Sequence, residues 1–461
     1  MSIRRILSLI LSLAMLFALA LNFAACDYVE EEDGTNAPTD ATEAPTSAPT
    51  EKATKKPSSN KKPNYNKNGD SDLTGYDLKK YLSPVWSGSI SYAESAFVKE
   101  NENGEIDPIQ LLYPIDEIIS VRSADLKTLY KNGEDYYIED GKIVILVGGK
   151  IPVLAYEDYI FDDDGRTTSA AGGKPITAYG QPGKKFVYGE ISTQNGGMSQ
   201  WVIAVTYKHS ADNILTVPED KSDRFANFTN KLEAGEDVTI VSIGDSITEG
   251  WSSSLVKGNR APYCPPYNDM VAQYVQSTYK DTKVTFKNLG KSGTTANGGN
   301  ISSGSPNGNN PDLLNEVCAA NPDLVMVAYG MNDGCGSTPD TYANNISSIV
   351  KYIQEKCPES CIVIVGTSLP NPDFAWDGGG RCLVYHDQYP EALAAKEKTW
   401  VDEDYNVAVA DVTTMNIEMY QRKIYQDLTG SNSNHPNDFM HRIYAQVIIQ
   451  TIFGDYETIS Q

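Results

Sequence analysis

The stretch Val238-Thr239-Ile240-Val241-Ser242-Ile243-Gly244-Asp245-Ser246-Ile247-Thr248-Glu249-Gly250 decides how the C-terminal half of this chain is read. Its first six residues are mostly β-branched and too few for an ordinary helix, so they make a strand. Gly244 to Gly250 then turn that strand toward a helix. Four more short apolar runs follow the same rhythm, at 284–289, 324–329, 362–367 and 407–412. They show little alternation of apolar and polar residues, as expected of parallel strands covered on both faces. Between them lie helical stripes, Met270, Val271, Tyr274, Val275 and Ile346, Ile349, Val350, Ile353, whose spacing marks core-facing surfaces. Strands alternating with helices from residue 236 onward predict an α/β domain with a doubly wound parallel sheet over 236–461.

Upstream, the rhythm is different. Residues 71–235 carry short strand-like runs punctuated by turns, among them 135–139 and 142–146 around Asp140-Gly141, then 185–191 and 201–207. A β-rich, sandwich-like N-terminal domain is expected there, packing against the second domain or binding sugar rings through exposed aromatics. The acidic turn Asp162-Asp163-Asp164-Gly165 lacks the alternation and closing Glu of a calcium loop and reads as solvated. Residues 26–70 are rich in Thr, Pro, Ser, Asn and Lys without apolar periodicity, which predicts a disordered tether.

The first 25 residues place Arg4 and Arg5 before an apolar run ending in small residues, the pattern of a secretory signal. That run stops at Phe23-Ala24-Ala25-Cys26, which resembles a bacterial lipobox, so Cys26 is the expected lipidation site. The expected location is the outer face of the bacterial cell membrane, with the membrane as partner through the lipid anchor. The other six cysteines all lie beyond residue 263, and their pairing is open.

The chain has 461 residues with 38 Lys+Arg against 61 Asp+Glu, a net charge of −23. Such an acid excess argues against nucleic acid as a partner, because phosphate binding depends on Lys and Arg. At 40% hydrophobic and 10% aromatic residues, there is enough apolar material for sizeable cores. No paired C-x-x-C motif of a zinc site appears, and no cofactor is called for.

In an open parallel sheet, ligands bind beyond the carboxyl ends of the strands. Four segments are expected there or just before the last helix: Gly244-Asp245-Ser246, Gly290-Lys291-Ser292-Gly293, Gly330-Met331-Asn332-Asp333 and Asn434-His435-Pro436. Together they supply the parts of an acyl-transfer site. Ser246 at a strand-to-helix turn offers a nucleophilic hydroxyl and a backbone N–H. Gly293 lets a second N–H approach an oxyanion, Asn332 adds an amide donor, and His435 is a base within its expected reach.

This ordered set resembles the motif blocks of the SGNH (GDSL-type) hydrolase superfamily over about residues 236–455. The resemblance implies a three-layer α/β/α fold, Ser246 and His435 as catalytic residues, and an oxyanion hole of Ser246, Gly293 and Asn332. One departure stands out. The family usually has Asp three residues before the His, and here that position is Asn432. Either the site runs as a Ser–His dyad, or another acceptor orients His435: a backbone carbonyl, Asn432 itself or Asp438. Asp438 also fits a cap on the helix expected over 439–453.

His441 falls within that helix and reads as a packing or surface residue. The loop at 370–390, with Trp376, Asp377-Gly378-Gly379-Gly380 and His386, is a candidate substrate rim or a plain surface loop. A β-rich domain before an SGNH domain on an exported chain looks like the two-domain carbohydrate esterases, which implies removal of O-acetyl groups from an acetylated glycan substrate. The alternatives are a lysophospholipase or thioesterase acting on lipid esters, and an inactive glycan-binding surface lipoprotein.

Overall fold

The computed structural model describes residues 72–210, 214–297, 308–375 and 380–454. The signal, Cys26 and the tether therefore lie outside the described residues, as do Trp376, Asp377, Gly378 and Gly379.

The β-rich unit begins with a short helix, α1 (Leu78–Tyr81), and nine strands: β1 (Ile90–Phe97), β2 (Glu117–Ser123), β3 (Leu129–Tyr130), β4 (Tyr136–Glu139), β5 (Lys142–Ile145), β6 (Ile160–Asp162), β7 (Ile176–Ala178), β8 (Lys184–Phe186) and β9 (Val202–Lys208). A second short helix, α2 (Tyr156–Tyr159), precedes β6. One antiparallel sheet runs β1-β9-β2-β3. The expected hairpin pairs β4 with β5, and its turn residues Asp140 and Gly141 have φ of 47° and 73°. Both central residues on the left-handed side give the turn that matches strand twist.

The α/β unit opens with α3 (Ala226–Glu233), then β10 (Val238–Gly244), α4 (Ser246–Glu249), α5 (Tyr267–Thr278), β11 (Val284–Asn288), α6 (Pro311–Ala319), β12 (Leu324–Ala328), α7 (Pro339–Lys356) and β13 (Cys361–Val365). It continues with β14 (Phe374–Ala375), α8 (Tyr389–Asp402), β15 (Val407–Ala410), α9 (Val412–Tyr420) and α10 (Asp438–Phe453). Five parallel strands stand in the order β11-β10-β12-β13-β15. After β10 the chain adds β11 on one side and returns to add β12 on the other. The crevice at that reversal, where Gly244 pairs with Ala328, is where ligands bind in such sheets.

Alternate residues of the strands feed two cores. Val241, Val327, Ile364 and Val409 pack with Leu314, Ile349 and Trp400 on one face. Ile240, Met326, Val363 and Ala408 pack on the other face with α10, and that core continues without a break into Val121, Ile203, Val205 and Tyr207 of the β-rich unit. Helix α10 is thus covered on all sides, and every residue from Phe439 to Ile452 is buried. That explains its lack of a polar face.

Polar contacts lock the two units as well. Arg442 of α10 donates through Nη2 to Tyr92 O at 2.8 Å, and Gln446 donates to Tyr81 O at 2.9 Å. The ammonium of Lys423 lies 2.6 Å from Glu94 of β1, and both side chains are fully buried. Glu94 also accepts from Leu112 N and Tyr207 Oη, and Asp427 accepts from Phe97 N at 2.7 Å. A strand is shared too: β14, from the loop after β13, pairs with β7 in the sheet β14-β7-β8-β6.

Removing one member of a buried pair leaves an uncompensated charge, at a cost of about 3–5 kcal/mol. Lys423→Met is expected to lower the urea unfolding free energy by about that amount. The same titration, followed at β-sheet and helix wavelengths, is expected to show one transition, because the core crosses the unit boundary.

Candidate active site

The nucleophile candidate sits where β10 becomes α4. Asp245 caps the helix with its own carboxylate, accepting from Ile247 N at 2.9 Å, so Ser246 becomes the first helical residue. Its hydroxyl Oγ lies 2.9 Å from His435 Nε2, and Ser246 and His435 are 5% and 7% exposed. The carbonyl of His435 accepts from Gly430 N and Thr429 Oγ1, both at 2.9 Å, which fixes the loop just ahead of α10.

Gly293 has φ of 74°, a backbone state that side chains disfavour, in the loop after β11. Asn332 donates one amide N–H to Thr294 O at 2.8 Å, so its second amide hydrogen remains for another acceptor. The loop holding Asn332 is braced from behind by His386, whose Nε2 is 2.8 Å from Met331 O. His386 is fully buried, which lowers its pKa to about 4, so it is neither a rim residue nor a surface one. His441 is likewise buried, with Nε2 3.0 Å from Trp251 O and a pKa lowered by burial to about 4.

The group facing His435 Nδ1 corrects the expectation from sequence. It is Glu190, whose Oε1 lies 2.6 Å from Nδ1. Neither Asn432 nor Asp438 faces that nitrogen. Asn432 has φ of 69°, a left-handed state that Asn tolerates, and this turns its amide away. Its Nδ2 donates to Val187 O at 2.9 Å, and its Oδ1 accepts from Asn371 and Gln426. Asp438 accepts from Ser254 N at 2.8 Å, and burial raises its pKa to about 6. It is not the helix cap either: Asn437 does that, accepting from Met440 N at 3.0 Å.

Glu190 comes from the β-rich unit, 245 residues before His435. The run 185–191 reads as one strand in the sequence, but β8 ends at Phe186 and the chain then leaves the sheet to carry Glu190 into the crevice. Tyr188 Oη donates to its Oε1 at 2.9 Å and Ser252 Oγ to its Oε2. Burial pushes the Glu190 pKa up, but His435 and these hydrogen bonds outweigh it and hold the carboxyl below its usual range. Gly197, with φ of 60°, lets the chain fold back over Glu190; a Cβ there would lie 2.2 Å from Glu190 O. The one sequence signal for Glu190 is a lone acid between Gly189 and Ile191 in an apolar run, too common to single it out.

Two other carboxylates flank the crevice. Asp333 accepts from Ala296 N at 3.0 Å and so ties the Gly293 loop to the Asn332 loop. Burial raises the pKa of both Asp245 and Asp333 to about 7, and for Asp333 the charge of Asp245 adds to the rise. Among the described residues, no cluster of three His, Cys, Asp or Glu could hold a metal, and the turn at Asp162–Asp164 is taken up by Lys184, Lys185 and Arg166.

The five-stranded parallel sheet flanked by helices, with Ser246, His435 and the Gly293 and Asn332 loops near its switch point, fits an SGNH-type hydrolase domain. The GDSL-like Lipase/Acylhydrolase family model matches residues 242–443. No curated protein matches the chain at a significant level.

Similar solved structures include a two-domain esterase (CEX) active on acetylated mannans, co-crystallised with mannopentaose, at 18% identity and a TM-score of 0.37. That match covers 53% of this chain and 56% of the esterase, so the chain spans little more than half the length of that protein. Others are Axe2, an acetylxylan esterase from Geobacillus stearothermophilus (20% identity, TM-score 0.34, covering 48% of this chain and 97% of that one), and a lipolytic G-D-S-L family protein from Veillonella parvula DSM 2008 (18%, TM-score 0.32, covering 47% and 98%).

The raised carboxyls make stability depend on pH. Folding favours their protonated forms, so the contribution of each is complete below the unfolded value of 3.8 and lost as the pH rises through about 7. Asp333→Asn keeps an acceptor for Ala296 N and removes one charge. The urea midpoint of the wild type is expected to fall between pH 5 and 8.5, and that of Asp333→Asn to fall less.

Proposed function

We propose that this protein is a serine esterase that removes O-acetyl groups from glycans outside a bacterial cell. The observation that carries the proposal is the unbroken chain Ser246 Oγ, His435 Nε2, His435 Nδ1, Glu190 Oε1, with contacts of 2.9 and 2.6 Å. Ser246 attacks the ester carbonyl as its proton passes to His435 Nε2. Glu190 accepts from Nδ1–H, which fixes the tautomer and stabilises the imidazolium. The tetrahedral oxyanion is met by the N–H groups of Ser246 and Gly293 and by the free amide hydrogen of Asn332. His435 then returns the proton to the departing sugar hydroxyl, leaving an acetyl ester on Ser246. Water, deprotonated by the same imidazole, releases acetate.

With the orienting carboxylate in place, the absence of Asp at position 432 gives no reason to expect an inactive binding protein. The acetylated-glycan substrate is supported by the export signal, the Cys26 lipobox and the β-rich unit beside the site. Acetylated mannans are the substrate class of the similar two-domain esterase, and the proposal assigns this chain a substrate of that kind.

Acetate release from acetylated xylan, acetylated mannan and p-nitrophenyl acetate tests the proposal. Wild type is expected to release it and Ser246→Ala to release none; equal inertness of both defeats the catalytic reading. Faster turnover of long-chain than of acetyl esters defeats the deacetylase reading and favours a lipid ester. Glu190→Gln keeps the shape but loses the charge, and is expected to lower kcat by about 10⁴-fold, the loss seen when a triad acid becomes an amide. Asn432→Asp is expected to bring no gain, because position 432 faces away from His435.

A further inference from the structure

The Gly293 loop needs something to hold it against the nucleophile, and the described contacts show what does. Its entry is fixed through the backbone: Gly290 N donates to Asn288 Oδ1 and Lys291 N to Gly244 O, each at 2.9 Å. Its exit is fixed by Ala296 N on Asp333. Between them, Ser292 gives both its N–H and its hydroxyl to one oxygen, Glu249 Oε2, with the N–H contact at 2.8 Å. Glu249 is the last residue of α4, one turn after Ser246. Its other oxygen, Oε1, accepts from Lys257 Nζ at 2.7 Å.

We propose that the Glu249–Lys257 pair is a positioning device that sets the Gly293 N–H against Ser246 Oγ. The claim rests on the esterase reading above and concerns how the same site is built. Because Ser246 and Glu249 share one helical turn, the carboxylate measures the Ser292 peptide from the nucleophile's own element. The N–H of Gly293 belongs to the next peptide along, so its direction follows from how Ser292 is held. Glu249 is half-buried. Burial raises its pKa, but Lys257 and Ser292 outweigh this and keep it below the usual range, so the carboxylate stays charged and accepts strongly.

Lys257 has a second contact. Its Nζ stands 4.7 Å from the centroid of the Trp251 ring, which stacks on His435 at 5.4 Å and 26°. One ammonium therefore steadies the acceptor of the oxyanion loop and the aromatic wall of the base. A shift of the order of 1 Å in such a group can cost about 100-fold in rate.

The test compares Glu249→Ala, Glu249→Gln and Lys257→Met with wild type on p-nitrophenyl acetate. An alkylboronic acid, whose tetrahedral adduct on serine imitates the oxyanion, provides the second readout. For Glu249→Ala, kcat is expected to fall by about 100-fold with KM changed less than about three-fold, and boronate inhibition to weaken in parallel. Glu249→Gln retains an acceptor for Ser292 N and is expected to recover to within about ten-fold of wild type. Lys257→Met is expected to fall between the two.

A folded Glu249→Ala with kcat within about three-fold of wild type overturns the proposal, as does a loss of kcat with boronate affinity unchanged. If Glu249→Ala does not fold, Glu249→Gln combined with Ser292→Ala decides the matter by the same pair of readouts. A wild type inert on every ester overturns the esterase reading instead. The two failures are therefore distinct.

Discussion

The arrangement depends on one contact: the 2.6 Å approach of Glu190 to His435 Nδ1. Everything on the α/β side of the crevice can be assembled from its own strand ends, but this partner cannot. It reaches the histidine only if the β-rich unit is docked in register on α10 and the 429–437 loop. A buried carboxylate is tolerable only when paired and hydrogen-bonded, and here the His435 ring, Ser252 and Tyr188 supply that pairing. The same requirement makes the docking part of how the proposed site is built.

Several features look unrelated until that constraint is stated. Asn432 occupies the family's usual acid position, yet its amide grips Val187 O, three residues before Glu190. The residue that no longer orients the histidine thus holds the segment that does. Lys423, Glu94 and Asp427 form a buried charge cluster whose desolvation is costly, and such clusters are weak evidence for stability as such. Their value here is registration. Asp427 O is also bonded by Asn437 Nδ2 at 2.8 Å, at the start of the helix that follows His435. Sliding β1 along its neighbour would break those charges before it moved Glu190 far.

Much of the α/β unit was legible in the sequence because its signals are local. All five runs that read as parallel strands are strands, with ends within two residues, since a short apolar run covered on both faces is an unambiguous local pattern. The Asp140-Gly141 turn was readable for the same reason. Ser246, Gly293, Asn332 and His435 could be nominated because each sits at a strand end or loop whose position follows from the topology. Glu190 was not readable, because what makes it special is a long-range docking that no neighbouring residue encodes. Asn432 and Asp438 were nominated by proximity in sequence, which says nothing of direction. The left-handed φ of Asn432 and the Ser254 contact of Asp438 aim them elsewhere. His386 failed in the opposite sense, since a loop histidine that reads as exposed is buried under the Asn332 loop.

The crevice also shows how one fold keeps several carboxyls in different states near a single imidazole. Glu190 and Glu249 both pay for burial, yet each meets a cation or several donors and is held in its charged form. Asp245 and Asp333 accept backbone N–H groups but burial dominates, and their pKa values rise to about 7. The distinction bears on the proposed reaction. In the proposed reaction a charged group serves opposite His435 and beneath Ser292, where the strength of the acceptor matters. In that proposed reaction a full negative charge on Asp245, beside Ser246, would oppose the negative charge that develops on the substrate oxygen. A carboxyl driven toward neutrality by burial still shapes the α4 turn through Ile247 N while adding less of that opposition. Giving Glu190 and Glu249 strong donors, and leaving Asp245 and Asp333 without an ion pair, lets the proposed site be built from acids in a strongly acidic chain without turning its field against the transition state.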